Sequence, residues 1–221
     1  MSKVLILVEG QAEETFVRDI LAPYLSGHRV YPVAKLATTK RVKSGPDFKG
    51  GIVSYGKFKN DIVRLLHDTS AVVVTTMIDF YGLPTDFPGR RSMPPGSCYE
   101  RAAYLEEEIR EDINHPRLIP FLALHEFEAM MFVAPEQIAR EFSGTNMTRE
   151  LFAIRAQFRS PEEIDDNPRT APSKRLEALF PEYRKPLHGP LIILEIGIDR
   201  IRNECRHFND WLQKLEGLGE G

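Results

Sequence analysis

The sequence predicts an α/β protein in which a central, mostly parallel sheet is flanked by helices and followed by a helical carboxyl-terminal part. Two apolar runs, at residues 3–8 and 70–78, are short and rich in β-branched side chains, as expected for strands buried on both faces. Helical patterns alternate with these runs, which is typical of parallel sheets. We therefore predict an α/β core over residues 1–133 and a helical extension over residues 134–221 that packs on it as one compact unit.

The first predicted strand leads directly into an acidic turn and a helix. It ends at Glu9-Gly10, and apolar residues from Phe16 to Leu25 then recur at helical spacing. Glu13 lies four residues after Glu9, so one helical turn can bring both carboxylates to the same place. In open α/β sheets, ligands bind at the edge where such strands end.

The following elements keep this alternation. Residues 30–34 form a short predicted strand whose Pro32 favours an edge position, and residues 55–66 have the spacing of a helix. Residues 99–113 are predicted to form a helix with a charged, solvated face, and residues 117–124 a further strand. The alternation of strands and helices therefore continues to residue 124.

Each of the three strongest predicted strands is followed by acidic residues. Glu9 follows the first strand, Asp79 follows the second, and Glu126 and Glu128 follow the third. Because the carboxyl ends of parallel strands meet at one edge of a sheet, these acids are expected to converge there. Hard cations need clustered carboxylate oxygens, whereas carboxylates packed together without a cation repel one another. The pattern predicts a divalent metal site at Glu9, Glu13 and Asp79, which Glu126 or Glu128 is expected to join.

Basic residues that suit a phosphate-rich ligand occur in three places. They are Lys40, Arg41 and Lys43 in a glycine-rich stretch, Arg90 and Arg91 in a loop rich in glycine and proline, and Lys174 and Arg175 at the start of a predicted helix. Each group is either solvated surface or a place where nucleic-acid phosphates bind. Cations in a first helical turn oppose the helix dipole, so Lys174 and Arg175 are either exposed or placed to meet an anion.

Composition excludes several other classes of protein. The net charge of −3 over 221 residues rules out a globally basic surface, so any nucleic-acid binding must use a local patch or a partner. Cys98 and Cys205 are the only cysteines, and this argues against a disulfide framework and against a cysteine zinc site. No apolar run approaches the ~20 residues of a membrane span, and the amino terminus leads directly into a strand, which predicts no signal peptide. We expect a cytoplasmic protein without membrane contact.

Five segments of the chain together resemble a known family. They are VEGQAEETFV, MIDFYGLP, LHEFEAMMF, PSKRL and ECRHFNDWL. The first two, each an acid at the end of a strand, resemble the Toprim (Rossmannoid) fold of topoisomerases, primases and OLD-type nucleases. The whole set, over about residues 3–215, resembles the DUF4276 family, which is Toprim-like.

The resemblance implies a site for phosphodiester chemistry that depends on Mg²⁺ or Mn²⁺. Glu9 corresponds to the Toprim glutamate at the end of the first strand. Glu13 matches a second acid that OLD-type nucleases carry four residues later. Asp79 corresponds to the first aspartate of the Toprim DxD motif.

The chain departs from the Toprim pattern at one position. Tyr81 stands where the DxD motif has its second acid, so the resemblance requires Glu126 or Glu128 as a replacement ligand. Some OLD-type nucleases also use a lysine late in the domain, for which Lys174 is the candidate. The resemblance further implies an ATPase partner of the ABC or AAA type and a role in anti-phage defence.

Three functional hypotheses follow. The first is a Mg²⁺-dependent nuclease in which Glu9 and Asp79 bind the metal and a cation such as Lys174 stabilises the developing negative charge. The second is an inactive Toprim-like module that binds nucleic acid or a nucleotide, or that regulates an ATPase partner. The third is that Glu9, Asp79 and Glu126 are ordinary helix-capping acids. The sequence leaves open whether the substrate is DNA or RNA and whether the chain forms a homo-oligomer.

Overall fold

A parallel sheet forms the centre of the structure. The computed structural model describes residues 1–38, 51–142, 147–164 and 169–220. In these ranges the strands are β1 (Ser2–Val8), β2 (Val30–Leu36), β3 (Ala71–Asp79), β4 (Leu118–Ile119) and β5 (Leu122–Ala123). The strand order is β2-β1-β3-β4, β5 also pairs with β3, and every pairing is parallel. The predicted α/β fold class is therefore confirmed.

Helices flank the sheet, and after residue 134 helices and 3₁₀ turns are the only regular secondary structure in the described residues. They are α1 (Gln11–Phe16), α2 (Ala22–Ser26), α3 (Tyr55–Leu66), α4 (Cys98–Ile113), α5 (Pro135–Glu141), α6 (Thr148–Arg155), α7 (Pro172–Leu179), α8 (Lys185–Ile196), α9 (Ile198–Glu204) and α10 (Arg206–Glu216). A π-helical turn, Val17–Leu21, connects α1 to α2, and short 3₁₀ segments span Phe127–Val133, Pro161–Glu163 and Gly217–Gly219. In the described parts of the chain, none of these helices is long and apolar enough to cross a bilayer.

The edge position predicted for the second strand is confirmed. β2 pairs with β1 alone among the described strands, with Pro32 opposite Val4. A proline has no N–H to donate, so an edge strand is where it weakens a sheet least.

The third apolar run forms two short strands instead of the continuous strand predicted over residues 117–124. Pro120 lies between β4 and β5 and interrupts the pairing with β3. The Thr76 hydroxyl takes over the pairing: it donates to the Phe121 carbonyl at 2.7 Å and accepts from the Phe121 N–H at 2.8 Å. β5 then resumes pairing with the last residues of β3, which keeps the chain that leads to Glu126 beside the end of that strand.

Alternating side chains of β1 face two hydrophobic clusters. Val4 and Ile6 lie in one cluster, and Leu5 and Leu7 lie in the other. The first cluster includes buried side chains from α1, from the segment Phe127–Val133 and from α5 to α10. The second is built with α3 and α4. The helices of the carboxyl-terminal part thus pack on the same face of the sheet as α1.

Candidate functional site

The ends of β1 and β3 bring the first two predicted acids together. Glu9 directly follows β1, and Asp79 is the last residue of β3, the neighbouring parallel strand. The Asp79 N–H donates to Glu9 Oε2 at 3.0 Å. One carboxylate therefore fixes the backbone that carries the other.

A glycine turn places the third acid. Gly10 is extended at φ −151° and ψ −171°, and α1 begins at the next residue. A Cβ atom at Gly10 would lie 3.2 Å from Glu13 Oε2, so a larger residue would press against this carboxylate. The first turn of α1 then directs the Glu13 side chain inward, where only 2% of the residue is exposed. The predicted proximity of Glu9 and Glu13 thus follows from a tight strand-to-helix turn.

A strained turn after β5 supplies the fourth acid. His125 has a φ of 62°, in the left-handed region that non-glycine residues rarely adopt. After this turn the Phe127 N–H donates to Asp79 Oδ1 at 3.0 Å, and the 3₁₀ segment that begins there buries Glu128 completely. The Tyr183 hydroxyl donates to Glu128 Oε1 at 3.3 Å. We call the four acids Glu9, Glu13, Asp79 and Glu128 the acidic cluster.

A lysine that the sequence analysis did not single out lies at the centre of this cluster. Lys185 Nζ is 3.0 Å from Glu13 Oε1, 3.2 Å from Asp79 Oδ2 and 3.0 Å from Glu128 Oε2. It also lies 5.9 Å from the centre of the Phe127 ring. Carboxylate oxygens that share one nitrogen neighbour also lie close to one another, so three separate elements converge on a single point.

The contacts of Lys185 are unequal. Its ammonium donates a hydrogen bond to Asp79 Oδ2. The nearby oxygens Glu13 Oε1 and Glu128 Oε2 lie at ion-pair distance from the same ammonium, and both are buried with no other partner among the described residues. One ammonium therefore serves three carboxylates, and buried carboxylates that share a single cation are less completely paired than carboxylates that each have donors of their own.

Burial changes the protonation of the cluster. It raises the pKa of Glu9 to about 8, with the negative charge of Asp79 as the next cause. Burial also raises the pKa of Asp79 to about 7, although Lys185 opposes this rise, and it raises the pKa of Glu128. For Lys185, burial alone would lower the pKa, but the surrounding acids outweigh it and the pKa lies well above its usual value. Glu9, Asp79 and Glu128 therefore hold protons unusually strongly while the lysine stays charged.

A ready-made metal site is not present in the described residues. No group of three or more histidine, cysteine, aspartate or glutamate side chains there is arranged to hold a metal ion. The convergence point of the carboxylates is instead taken by the Lys185 ammonium. The acids therefore converge as the sequence predicts, but on a cation that belongs to the chain.

Glu126 does not contact this lysine and instead caps a helix. Its Oε2 accepts the Ser173 N–H at 2.8 Å and its Oε1 accepts the Ser173 hydroxyl at 3.0 Å, in the first turn of α7. Glu9, Asp79 and Glu126 each accept one backbone N–H, as the capping hypothesis expects. That hypothesis does not account for the convergence of Glu13, Asp79 and Glu128. Of the two replacement ligands considered, the geometry favours Glu128.

Among the predicted cations, Lys174 and Arg91 are exposed, Arg90 and Arg175 are partly buried, and three lie outside the described ranges. Lys174 Nζ is 2.6 Å from Glu177 Oε2, with both side chains about half exposed. Arg175 donates to the Thr170 carbonyl at 2.6 Å and lies over the Phe158 ring, Arg90 lies 5.6 Å from the centre of the Phe80 ring, and Arg91 is exposed. Lys40, Arg41 and Lys43 fall outside the residues that the structure describes. The roles of these residues in binding and catalysis stay predictions.

Lys185 has one local feature in common with Lys174 and Arg175. It is the first residue of α8, with Pro186 next, a proline position typical of helix starts. A cation there opposes the helix dipole, as Lys174 and Arg175 do at the start of their helix. This feature is typical of a helix start but does not place Lys185 beside the acids.

Comparison with known proteins identifies the family. A family profile described as "Domain of unknown function (DUF4276)" matches residues 8–216. The chain belongs to the DUF4276 family. The DUF4276 match includes all four members of the acidic cluster and Lys185. No curated protein and no solved structure matches the chain, so the function is argued from the site.

Proposed function

We propose that this DUF4276 protein is a Mg²⁺-dependent nuclease that hydrolyses phosphodiester bonds. The observation that carries the proposal is the convergence of Glu13, Asp79 and Glu128 on one point, where two of the buried oxygens have no partner among the described residues except the shared Lys185 ammonium. Three buried acids that share one cation are costly in a purely structural role. Natural proteins retain such an arrangement when it serves a ligand.

The donor set fits a hard divalent cation. Mg²⁺ and Mn²⁺ bind carboxylate oxygens, and among the described residues only the Lys185 ammonium competes for Glu13 Oε1 and Glu128 Oε2. Four carboxyl groups lie around this one ammonium, so the acids outnumber the cations and favour a divalent cation at this position. Glu13, Asp79 and Glu128 would hold the ion, with Glu9 beside them. When bound, the ion neutralises charge on the scissile phosphate and lowers the pKa of a water molecule.

The chain's own residues would prepare this site. The Phe127 N–H fixes Asp79 Oδ1 and thereby leaves Oδ2 directed at the convergence point. The Tyr183 hydroxyl fixes one oxygen of Glu128 in the same way. Such preorganisation is what makes an electrostatic site effective, because the donors need not reorient during the reaction. Lys185 is better located than Lys174 to contact a substrate phosphate, since its ammonium already lies among the acids.

A second candidate function is favoured by the position of Lys185. An ammonium that permanently replaced the metal would leave a binding or regulatory module, and Tyr81 in place of a second DxD acid agrees with that reading. Such a module would bind nucleic acid or a nucleotide, or would regulate an ATPase of the ABC or AAA type. This candidate predicts binding without cleavage.

Cleavage assays separate the two functions. Purified protein is incubated with supercoiled plasmid, linear DNA or RNA in Mg²⁺, in Mn²⁺ or in EDTA. We expect metal-dependent cleavage of at least one substrate, and a loss of at least ~100-fold in rate for Glu13→Gln and for Glu128→Gln. Glu182→Gln, at an exposed position, is the matched control and should cleave normally. Cleavage that is equal in wild type and in both cluster variants would contradict the proposal.

A further inference from the structure

Lys185 reaches the acidic cluster from an element that carries none of its acids. Glu9 and Glu13 belong to the turn after β1 and to α1, Asp79 ends β3, and Glu128 lies in the 3₁₀ segment after β5. Lys185 begins α8, whose later residues are anchored in the core through Ile192, Ile193 and Ile196. The position of the acids is therefore set by the sheet edge, independently of the lysine side chain.

One ammonium serves three buried carboxylates. It donates a hydrogen bond to Asp79 and lies at ion-pair distance, 3.0 Å, from an oxygen of Glu13 and from an oxygen of Glu128. These two glutamate oxygens are buried and have no other partner among the described residues. Three carboxyl groups thus share one positive charge, so the cluster attracts cations at this point.

The lysine can leave without unfolding the site. Its side chain is 32% exposed, whereas those of Glu13 and Glu128 are 2% and 1% exposed. A long, flexible stem that reaches solvent can change rotamer while the backbone of α8 stays in place. Asp79 is fixed by the Phe127 N–H and Glu128 by the Tyr183 hydroxyl, contacts that do not depend on Lys185, and Glu13 is carried by the first turn of α1.

We propose that Lys185 is an exchangeable internal counter-ion, which occupies the cation position of the acidic cluster and is displaced when a divalent cation binds. The inference rests on the proposed function and adds its regulation. An ammonium and a divalent ion cannot share the same oxygens, because like charges in a buried site repel strongly. Metal binding therefore requires Lys185 to swing out, and the displaced ammonium stays tethered next to the site, within reach of a substrate phosphate.

Because Lys185 and the metal compete for the same position, the affinity for the metal depends on Lys185. The test is a calorimetric titration of Mn²⁺ alone into wild type, Lys185→Gln, Lys185→Arg and a control. The control is Lys3→Gln, because Lys3 is also paired with a carboxylate, Asp68, at the opposite end of β1. We expect Lys185→Gln to bind Mn²⁺ at least ~10-fold more tightly than wild type, since no ammonium competes. Lys185→Arg, which keeps the charge, and Lys3→Gln should bind no more tightly than wild type.

Thermal unfolding provides a second measurement. In EDTA, Lys185→Gln should unfold at a lower temperature than wild type, because the acids lose their counter-ion. Saturating Mn²⁺ should raise its midpoint by more than it raises that of wild type. A Lys185→Gln protein that binds Mn²⁺ no more tightly than wild type would overturn the inference, as would Lys185→Arg binding as tightly as Lys185→Gln.

The two proposals fail in different ways. Wild-type protein that cleaves nucleic acid with Mn²⁺ while Lys185→Gln keeps wild-type affinity would refute the exchange and leave the nuclease standing. Absence of Mn²⁺ binding in every variant, together with absence of cleavage, would refute both.

Discussion

Two groups of buried acids in this protein differ in how their oxygens are paired. In the acidic cluster, Glu13 Oε1 and Glu128 Oε2 have no partner among the described residues except the Lys185 ammonium that they share. Glu162, only 4% exposed, instead accepts the His207 N–H at 3.0 Å on one oxygen and the Phe208 N–H at 2.9 Å on the other. These N–H groups lie in the first turn of α10, so Glu162 caps that helix.

The side chains of Glu106 and His207, which lie close to Glu162, also have hydrogen-bond partners within the chain. Glu106 Oε1 accepts the Leu122 N–H at 2.8 Å and lies 2.9 Å from His207 Nε2. The His207 ring stacks on Phe121 with the ring centres 5.1 Å apart. We call Glu106, Glu162 and His207 the capping cluster. The two clusters are thus similarly buried, but the pairing of their carboxylates differs. Those of the capping cluster accept hydrogen bonds from N–H groups of the chain, whereas three carboxylates of the acidic cluster share one ammonium.

The difference in pairing predicts a difference in what the two clusters contribute to stability. A buried carboxylate that accepts backbone N–H groups satisfies donors that the helix end leaves unpaired, and so it stabilises the fold. Several acids gathered around one cation repel one another and weaken the fold unless something else binds them. Burial alone therefore does not distinguish the two clusters, whereas the pairing of their oxygens does.

The largest expected effect on stability comes from the capping cluster. Glu162→Ala leaves two buried N–H groups at the start of α10 without an acceptor, and should lower the free energy of unfolding by about 3 kcal/mol. Urea denaturation measures this loss. Glu128→Gln should instead leave stability unchanged or raise it, because it removes one of several crowded negative charges. A loss in Glu128→Gln as large as in Glu162→Ala would erase the distinction between the clusters.

A smaller effect is expected from the pH dependence of the capping cluster. Burial alone would lower the pKa of His207, but the hydrogen bond that its ring donates to Glu106 and the charges of Glu106, Glu162 and Asp210 outweigh it, so the pKa is raised. A histidine whose pKa is higher in the folded state stabilises the protein below its unfolded pKa, and this contribution is lost as the pH rises through the folded pKa.

Denaturation of wild type and His207→Gln over the range from about pH 5.5 to 8.5 tests this sign. The stability advantage of wild type should be largest at the acidic end and should shrink as the pH rises. Taking the difference between the two proteins cancels the titration of the acidic cluster, which both share. An advantage that grows with pH would contradict the prediction.

The smallest expected effect concerns Lys174. Its ion pair with Glu177 is exposed and lies within one helical turn, so Lys174→Gln should change the free energy of unfolding by less than about 0.5 kcal/mol. In the cleavage assay, the same variant tests whether Lys174 or Lys185 is the lysine needed for cleavage. Normal cleavage by Lys174→Gln together with loss in Lys185→Gln would assign the late lysine of the resemblance to Lys185.

Much of the fold and the acids of the site follow from the sequence. Strand ends and period-3.6 helices are local patterns, and these placed Glu9, Glu13 and Asp79 at one edge. The predicted helix over residues 55–66 matches α3 in both bounds. The break at Pro120 was visible in the sequence, but its repair by the Thr76 hydroxyl is a tertiary contact between residues far apart in the chain.

Two features of the site could not be obtained from local patterns. Glu126 and Glu128 lie two residues apart and look equivalent, yet the left-handed turn at His125 sends one to α7 and the other into the cluster. Lys185 is separated from Asp79 by 106 positions, and only the packing of α8 brings it to the sheet edge. The positions of Glu128 and Lys185 both depend on packing between residues far apart in the chain, which no short stretch of sequence encodes.

The single tryptophan gives this protein an internal optical reporter. Trp211 on α10 stacks on Phe121, with ring centres 4.5 Å apart, and its indole N–H donates to the Thr75 hydroxyl at 2.9 Å. Thr75 belongs to β3, the strand that ends in Asp79. Undocking of the last helix from the sheet would expose the indole to water and shift its fluorescence to longer wavelength. Emission from this one side chain therefore follows the integrity of the strand that supports the acidic cluster, with no label required.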